Sequence, residues 1–114
     1  MCGICSDISS MFLNAVGDNV SEYIKIIDRL QIEYDSNHLW IIAGDCPLSD
    51  AAKYLENEEH YTISHYLQCR ECSQYFFVGA CIRGIPVYKL LETLDNENIE
   101  SKLWGQFGKR FANL

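Results

Sequence analysis

The sequence predicts an α+β domain in which a small antiparallel sheet packs with helices. Three observations point to this class. An apolar stripe at helical spacing runs through residues 20–34, apolar runs separated by turn residues mark residues 61–92 as three strands, and two Cys-x-x-Cys pairs can tie the start of the chain to the sheet. We therefore expect N-terminal helices, a three-stranded sheet and a C-terminal helix.

The composition predicts one globular domain, residues 1–114, with an acidic surface. The chain has 16 acidic and 9 basic residues, a net charge of −7, and 48% hydrophobic residues. An acidic balance disfavours nucleic-acid phosphates and favours a basic protein partner. The sequence has no apolar run near the ~18 residues of a membrane span and no basic signal region before Asp7. We therefore expect a cytoplasmic protein, in which cysteines are metal ligands or buried thiols rather than disulfides.

Two helices are predicted in the N-terminal third of the chain. Apolar side chains recur at steps of three and four in residues 6–16, and Gly17 is placed to end that helix. Residues 20–34 carry a clearer stripe, with charged side chains mostly off it. Asn19 can cap this second helix, and Glu22 stands in the capping-box position.

The middle of the chain predicts a short apolar segment and a third helix. Residues 39–43 fit a buried strand, and a helical turn has the same pattern. Ser49 can cap the helix that follows, which ends in three carboxylates, Glu56, Glu58 and Glu59. Carboxylates at a helix C-terminus oppose the helix dipole, so they are either simply solvated or kept for a partner.

Residues 61–92 are predicted to form a β-sheet. Apolar and polar side chains alternate over residues 61–68, residues 69–73 form a turn, and residues 75–82 are almost continuously apolar, as in a central strand. Residues 86–91 form the third strand. A helix is the alternative there, because the apolar residues of this segment also suit helical spacing.

The C-terminus predicts an amphipathic helix. Large apolar side chains recur there at steps of four: Ile99, Leu103, Phe107 and Phe111. Gly105 and Gly108 lower the helical propensity of this segment.

The cysteine spacing is the strongest chemical signal in the sequence. Cys2 and Cys5 form one Cys-x-x-Cys pair, and Cys69 and Cys72 form a second at the tip of the predicted hairpin. Two such pairs can give four thiolates to one tetrahedral zinc ion, and a site closed by four protein ligands is structural. His60, His65, Cys46 and Cys81 are alternative ligands.

The hairpin pair, Cys69-Arg70-Glu71-Cys72, resembles a zinc-ribbon knuckle. It departs from that pattern in two ways. Such knuckles often have Gly after the second cysteine, where this chain has Ser73 and, after the first pair, Ser6. The two pairs also lie much further apart in sequence than in compact ribbons.

Other reactive chemistry has little support in the sequence. Cys2-Gly3-Ile4-Cys5 looks like a thioredoxin-type motif, but no strand can precede it as that motif requires. The phosphate-binding glycine motifs and the Gly-x-Ser-x-Gly motif are absent from the sequence. We therefore expect a non-enzymatic protein.

The overall profile, together with the apolar run at residues 75–86, resembles bacterial immunity proteins of toxin systems such as contact-dependent growth inhibition. This resemblance implies a small, acidic, cytoplasmic, non-enzymatic protein that neutralises a basic toxin domain by binding it. It carries no functional residue of that family onto this sequence. Charge complementarity makes the acidic side chains our candidates for the partner surface. They are Glu56, Glu58, Glu59, Asp45 and Asp50.

Two further hypotheses remain open. The first is a zinc-ribbon-like accessory module of a nucleic-acid machine, contacted through Arg70, Arg83, Lys109 and Arg110. The second is a small redox or metal-handling protein with exposed thiols.

Overall fold

A computed structural model describes residues 2–17, 20–82, 84–94, 99 and 102–111. These residues contain three α-helices and four β-strands, so the predicted α+β class is confirmed. The helices are α1 (Gly3–Ala15), α2 (Val20–Asp35) and α3 (Ala51–Asn57). The strands are β1 (Leu39–Gly44), β2 (Thr62–Cys69), β3 (Tyr75–Cys81) and β4 (Val87–Leu91).

The sheet is antiparallel with strand order β1-β2-β3-β4, so it has four strands where the sequence predicted three. The additional strand is β1, the short apolar run whose pattern also suited a helical turn. Leu39 pairs with Cys69 and Ile41 with Leu67, and a bulge separates Ile41 from Ala43. Burial of Leu39 and Ile41 against the helices explains why this run joins the sheet. Residues 87–91 form a strand, as predicted, rather than the alternative helix.

Helices α1 and α2 cover one face of the sheet, which we call the inner face. Phe12 of α1 meets the Phe76 ring edge-on, with centroids 5.9 Å apart, and also contacts Tyr88 at 5.3 Å. Tyr23 and Leu30 of α2 are fully buried in the same cluster. The apolar stripes predicted for both helices therefore face the sheet, as amphipathic helices of a small domain must.

The C-terminal segment departs from the predicted helix. The prediction is correct only in part: Ile99 and Lys102 are helical, residues 103–106 are not, and Lys109–Phe111 form a 3₁₀ turn. Between them, Phe107 forms an antiparallel bridge to Gly44 through two backbone hydrogen bonds of 2.6 and 2.9 Å. We call residues 103–111 the C-terminal strap. Ile99, Leu103 and Phe111 still pack with Tyr66 on the outer face of the sheet, which explains the apolar spacing.

Two glycines allow the strap to lie directly on the backbone of β1 and the turn after it. A Cβ atom at Gly105 would stand 1.9 Å from the carbonyl oxygen of Asp45. Gly108 has a φ of +123° and lies against Ile42, where a Cβ atom would be 2.8 Å from the carbonyl oxygen. Such contacts need glycine, and the same glycines weaken a helix.

Some local predictions shift or fall outside the described residues. Ser49 lies within a 3₁₀ turn, Leu48–Asp50, and helix α3 begins after Asp50 rather than after Ser49. The predicted Asn19 cap and the Arg83 turn lie outside the described residues. Among the helices that are described, none is long and apolar enough to cross a lipid bilayer.

Candidate metal centre

The four cysteines of the two Cys-x-x-Cys pairs lie together in the structure. The sulfurs of Cys2, Cys5, Cys69 and Cys72 are all within 4.8 Å of one another. Cys2 Sγ is 3.6 Å from Cys69 Sγ, and Cys5 Sγ is 3.4 Å from Cys72 Sγ. The fold thus closes a 67-residue separation at one point, as the spacing argument required.

The first pair is held by the start of α1. Cys2 is the residue before the helix, and its carbonyl oxygen accepts the Ser6 N–H at 2.9 Å. A separation of three residues places Cys5 on the same face one turn later. Cys5 is completely buried, so it anchors the pair, whereas Cys2 is half-buried.

The second pair is held by the tight turn between β2 and β3. The backbone N–H groups of Glu71 and Cys72 point at Cys69 Sγ, at 3.4 and 3.5 Å. Ser73 closes the turn by donating its N–H to the Cys69 carbonyl oxygen, and its φ is +66°. The chain therefore has serine where zinc knuckles often have glycine, and its turn takes the left-handed conformation that glycine favours.

The thiols of the cluster differ in how readily they lose a proton when no metal is bound. Burial, followed by hydrogen bonds to the neighbouring thiols, raises the pKa of Cys5 far above its usual range. Burial also raises the pKa of Cys69, against the N–H groups of Cys72 and Glu71, which lower it. Backbone N–H groups of Cys2 and Gln74 lower the pKa of the exposed Cys72 to about 6. Binding a cation would thus displace protons from the buried sulfurs.

The sulfur geometry fits a tetrahedral metal ion. Zn–S bonds of ~2.3 Å imply sulfur–sulfur edges of about 3.8 Å in a regular tetrahedron. The observed separations of 3.4 and 3.6 Å are close to that edge, whereas a disulfide bond is only ~2.0 Å long. All six cysteines are free thiols. Soft thiolate ligands select zinc, iron or copper(I) over magnesium or calcium.

None of the alternative ligands belongs to this cluster. His65 is buried in the core and donates Nε2–H to the Cys46 carbonyl oxygen at 2.7 Å. His60 stacks on Trp104 with ring centroids 3.6 Å apart. Cys46 is buried and Cys81 half-buried, away from the four sulfurs.

Three of the five predicted partner residues form an exposed acidic surface at the end of α3. Glu56, Glu58 and Glu59 are all exposed, and none of them forms an ion pair within the part of the chain that the structure describes. Half-buried Asp50 lines a shallow pocket of about 240 Å³ together with Glu59. We call these four residues the acidic surface.

Asp45 does not belong to the acidic surface, which corrects the sequence prediction. Its side chain is buried, and its Oδ2 accepts the Ser64 N–H at 2.8 Å. Its Oδ1 accepts the N–H groups of Trp104 at 2.8 Å and Gly105 at 3.2 Å. Asp45 therefore fixes the strap to the sheet and cannot meet a partner. Its three hydrogen-bond donors are backbone groups, which leave no signal in the sequence.

Comparison with models of known protein families, with curated proteins and with solved structures found no match for this chain.

Proposed function

We propose that the protein is a non-enzymatic binding protein whose N-terminus and hairpin are joined by one structural zinc ion. The observation that carries the proposal is the convergence of Cys2, Cys5, Cys69 and Cys72. Four protein thiolates complete the coordination of zinc, which leaves no position for water or substrate. Zinc in such a site stabilises the fold rather than catalysing a reaction.

Metal analysis tests the zinc proposal directly. Protein purified without chelator should contain about one zinc per chain, and Cys72→Ser should lose most of it. Cys81→Ser is the matched control, because Cys81 is a partly buried cysteine outside the cluster. Metal-free wild-type protein from zinc-supplemented cells, with six freely titrating thiols, would contradict the proposal. Iron in place of zinc would contradict the identity of the metal but not the ligand set.

The binding role that we propose is neutralisation of a basic toxin domain, as an immunity protein performs it. Support comes from the acidic surface, whose three glutamates are exposed and unpaired within the described residues. Complementary charge accelerates association and favours a basic partner over other proteins. A cytoplasmic location belongs to the same proposal, because a reducing compartment keeps thiols available for zinc.

The test uses the reading frame next to this gene. If it encodes a toxin, co-expression of the chain should restore growth, and the two purified proteins should associate quickly at low salt. Reversing Glu56, Glu58 and Glu59 to lysine should slow association by about tenfold or more, with a smaller effect at high salt.

A second triple variant separates the acidic surface from net charge. Reversal of Asp28, Asp35 and Glu92, which are exposed elsewhere on the molecule, changes the charge equally. It should slow association much less. Equal effects of the two triple variants would place the partner elsewhere on the surface.

The alternative function, an accessory module of a nucleic-acid machine, has one specific observation in its favour. Arg70 and Lys109 both approach the Trp40 ring, with Arg70 Cζ 5.1 Å and Lys109 Nζ 3.5 Å from its centroid. Binding of RNA that weakens steeply with added salt would support this alternative over the toxin proposal.

A further inference from the structure

The Trp40 side chain lines a groove between β1 and the C-terminal strap. This groove, which we call the Trp40 groove, encloses about 490 Å³. Its lining includes four aromatic side chains, one amide and one lysine: Tyr34, Trp40, Phe107, Phe111, Gln106 and Lys109. The volume falls within the range of about 300–1,000 Å³ that is usual for small-molecule sites.

The walls of the Trp40 groove are formed before any ligand binds. One wall is β1, and the other is the strap, which is paired to Gly44 through both backbone hydrogen bonds of Phe107. Gly108, at a φ of +123°, keeps the strap close to Ile42. A groove fixed by backbone pairing loses little entropy on binding.

Two cations lie close to the Trp40 ring: Lys109 lines the groove, and Arg70 lies beside it, in the lining of a separate pocket that also contains Glu71. Lys109 Nζ and Arg70 Cζ lie 3.5 and 5.1 Å from the Trp40 ring centroid. Neither group forms an ion pair within the described residues. Two like charges drawn to one ring repel each other, and an anion placed between them would relieve that repulsion.

Arg70 belongs to the same turn as two cysteines of the candidate metal centre. It stands between Cys69 and Cys72, and its backbone N–H donates to the His38 carbonyl oxygen at 2.9 Å. Its guanidinium is 3.5 Å from the Asn37 amide oxygen. The turn that binds the metal thus also presents one of the two cations.

We infer that the Trp40 groove binds a mononucleotide. The phosphate would lie between Arg70 and Lys109, and the base would stack on Trp40 as Lys109 moves from the ring to the phosphate. The Gln106 amide offers both a donor and an acceptor for a base edge. The inference does not depend on the toxin proposal.

A single nucleotide fits these features better than a nucleic-acid strand. Each added nucleotide brings another phosphate, which needs a further cation to bind it. The described residues place two cations at Trp40, Lys109 in the groove and Arg70 beside it, in a chain of net charge −7. A strand would therefore gain little from its additional phosphates.

The experiment measures binding of four probes to zinc-loaded protein by isothermal titration calorimetry. The probes are AMP, adenosine, inorganic phosphate and a ten-residue oligoadenylate. AMP should bind with a Kd below about 1 mM, and adenosine and phosphate should each bind at least about tenfold more weakly. Oligoadenylate, compared per molecule, should bind no more than a few-fold more tightly than AMP.

Substitutions assign the AMP site to the groove. Lys109→Ala and Trp40→Phe should each weaken AMP binding, with Lys109→Ala losing about tenfold. Lys102→Ala and Trp104→Phe are the matched controls, since both residues lie outside the groove lining. Thermal unfolding and zinc content of each variant show whether the fold is intact.

Three outcomes would overturn the inference. The first is failure of folded, zinc-loaded wild-type protein to bind AMP or any of the other common mononucleotides. The second is unchanged AMP affinity in folded Lys109→Ala. The third is oligonucleotide affinity that rises steeply with length, which would make the surface a strand-binding site. The zinc and toxin proposals are read out by metal content and toxin association, so they stand or fall separately.

Discussion

The cysteine cluster and the Asp45 carboxylate both join segments that are distant in sequence, and they differ in whether groups of the chain alone complete the contact. The cysteine cluster joins the start of α1 to the β2–β3 turn through four sulfurs within 4.8 Å. Asp45 joins the strap to the sheet through three backbone N–H groups on one carboxylate. Asp45 finds its partners within the chain, whereas under our zinc proposal the sulfurs are joined by a cation that replaces their protons.

Because of this difference, the end of the sheet at the cysteine cluster and the end at Asp45 should respond to different conditions. The cysteine end should depend on metal supply and on oxidation, because thiolates are both metal ligands and the reactive form of cysteine. The Asp45 end should be indifferent to metal.

The largest effect should follow removal of the metal. A ligand held at 1,000 times its Kd stabilises the folded state by about 4 kcal/mol, so chelation or Cys69→Ser should lower stability by roughly that amount. For a chain of this size the loss corresponds to a fall in Tm of about 15 °C. Thermal unfolding with and without a zinc chelator measures it.

Hydrogen exchange locates the effect within the molecule. Amides of the first turn of α1 and of residues 69–73 should lose protection on chelation, and Gly44 and Phe107 should keep it. Cys81→Ser should behave as wild type throughout. Uniform loss of protection would mean that the cluster holds the whole fold rather than one end.

Loss of the Asp45 carboxylate should come second. In Asp45→Asn the side-chain NH2 group cannot accept a hydrogen bond, so at least one backbone N–H loses its acceptor. The substitution also removes the negative charge that strengthens the remaining bonds. Each charge-assisted hydrogen bond is worth about 1.5–3 kcal/mol. We expect a loss of about 3 kcal/mol in the free energy of unfolding, with zinc content unchanged.

The matched control for this variant is Asp50→Asn, since Asp50 makes no side-chain capping bond at the start of α3. Chemical denaturation of the two zinc-loaded variants gives the comparison. Equal losses in both would show that charge rather than the three hydrogen bonds matters at Asp45.

The cysteine cluster and the Asp45 contacts also differ in how far the sequence predicts them. The cysteines were found because metal ligation restricts both residue type and spacing, and that signal survives a separation of 67 residues. Charge alone predicts Asp45 at the partner surface, and the sequence does not reveal its burial because its partners are backbone groups, which any residue supplies. The same limit explains the strap. Its apolar spacing predicts a helix, and only the close approach at Gly105 and Gly108 shows why residues 103–106 leave the helical conformation.

The strand β1 illustrates a related limit. Its five apolar residues fit a buried strand, but their periodicity does not exclude a helical turn, and the structure shows the strand, paired with β2. Short apolar runs are settled by the tertiary contacts available to them, and those contacts are not local in sequence. The helices and the hairpin, in contrast, carry their period within the segment itself.

A third prediction concerns pH at the Asp45 end. Burial lowers the pKa of His65, whose Nε2–H donates to the carbonyl oxygen of Cys46, the residue after Asp45. Below the unfolded pKa of about 6.5, the unfolded chain binds a proton that the folded chain does not. The free energy of unfolding should therefore decrease as the pH is lowered below 6.5, by up to about 1.4 kcal/mol per pH unit. The decrease should end where the pH reaches the lower pKa of the folded state.

The measurement needs metal-free protein, because protons also compete with zinc for the thiols. Urea unfolding of Cys69→Ser between about pH 5 and pH 7 gives the slope. Adding His65→Gln to that variant should remove most of the slope. A slope that persists would assign it to another group, such as the Glu33–His38 pair, whose Oε2–Nδ1 distance is 2.6 Å.

The smallest effect should be a gain, at Ser73. A non-glycine residue at a φ of +66° carries conformational strain, and glycine relieves it at some entropic cost, so Ser73→Gly should stabilise the turn by about 0.5–1 kcal/mol. Asn37→Gly is the control, because Asn37 has a φ of +64° but tolerates this conformation better, and its gain should be smaller.

The stabilisation by Ser73→Gly, measured with and without zinc, shows whether the turn at residues 69–73 forms before metal binds. If the turn is formed before metal binds, Ser73→Gly should stabilise metal-free and zinc-loaded protein equally and leave zinc affinity unchanged. If metal forms the turn, the gain should appear as zinc affinity, about fivefold for 1 kcal/mol. The N–H groups directed at Cys69 Sγ favour the first result, since they order the turn using the chain alone. That result would mean that the turn with Cys69 and Cys72 keeps its conformation without metal, as the Asp45 contacts do. Only the position of the Cys2–Cys5 pair would then depend on metal.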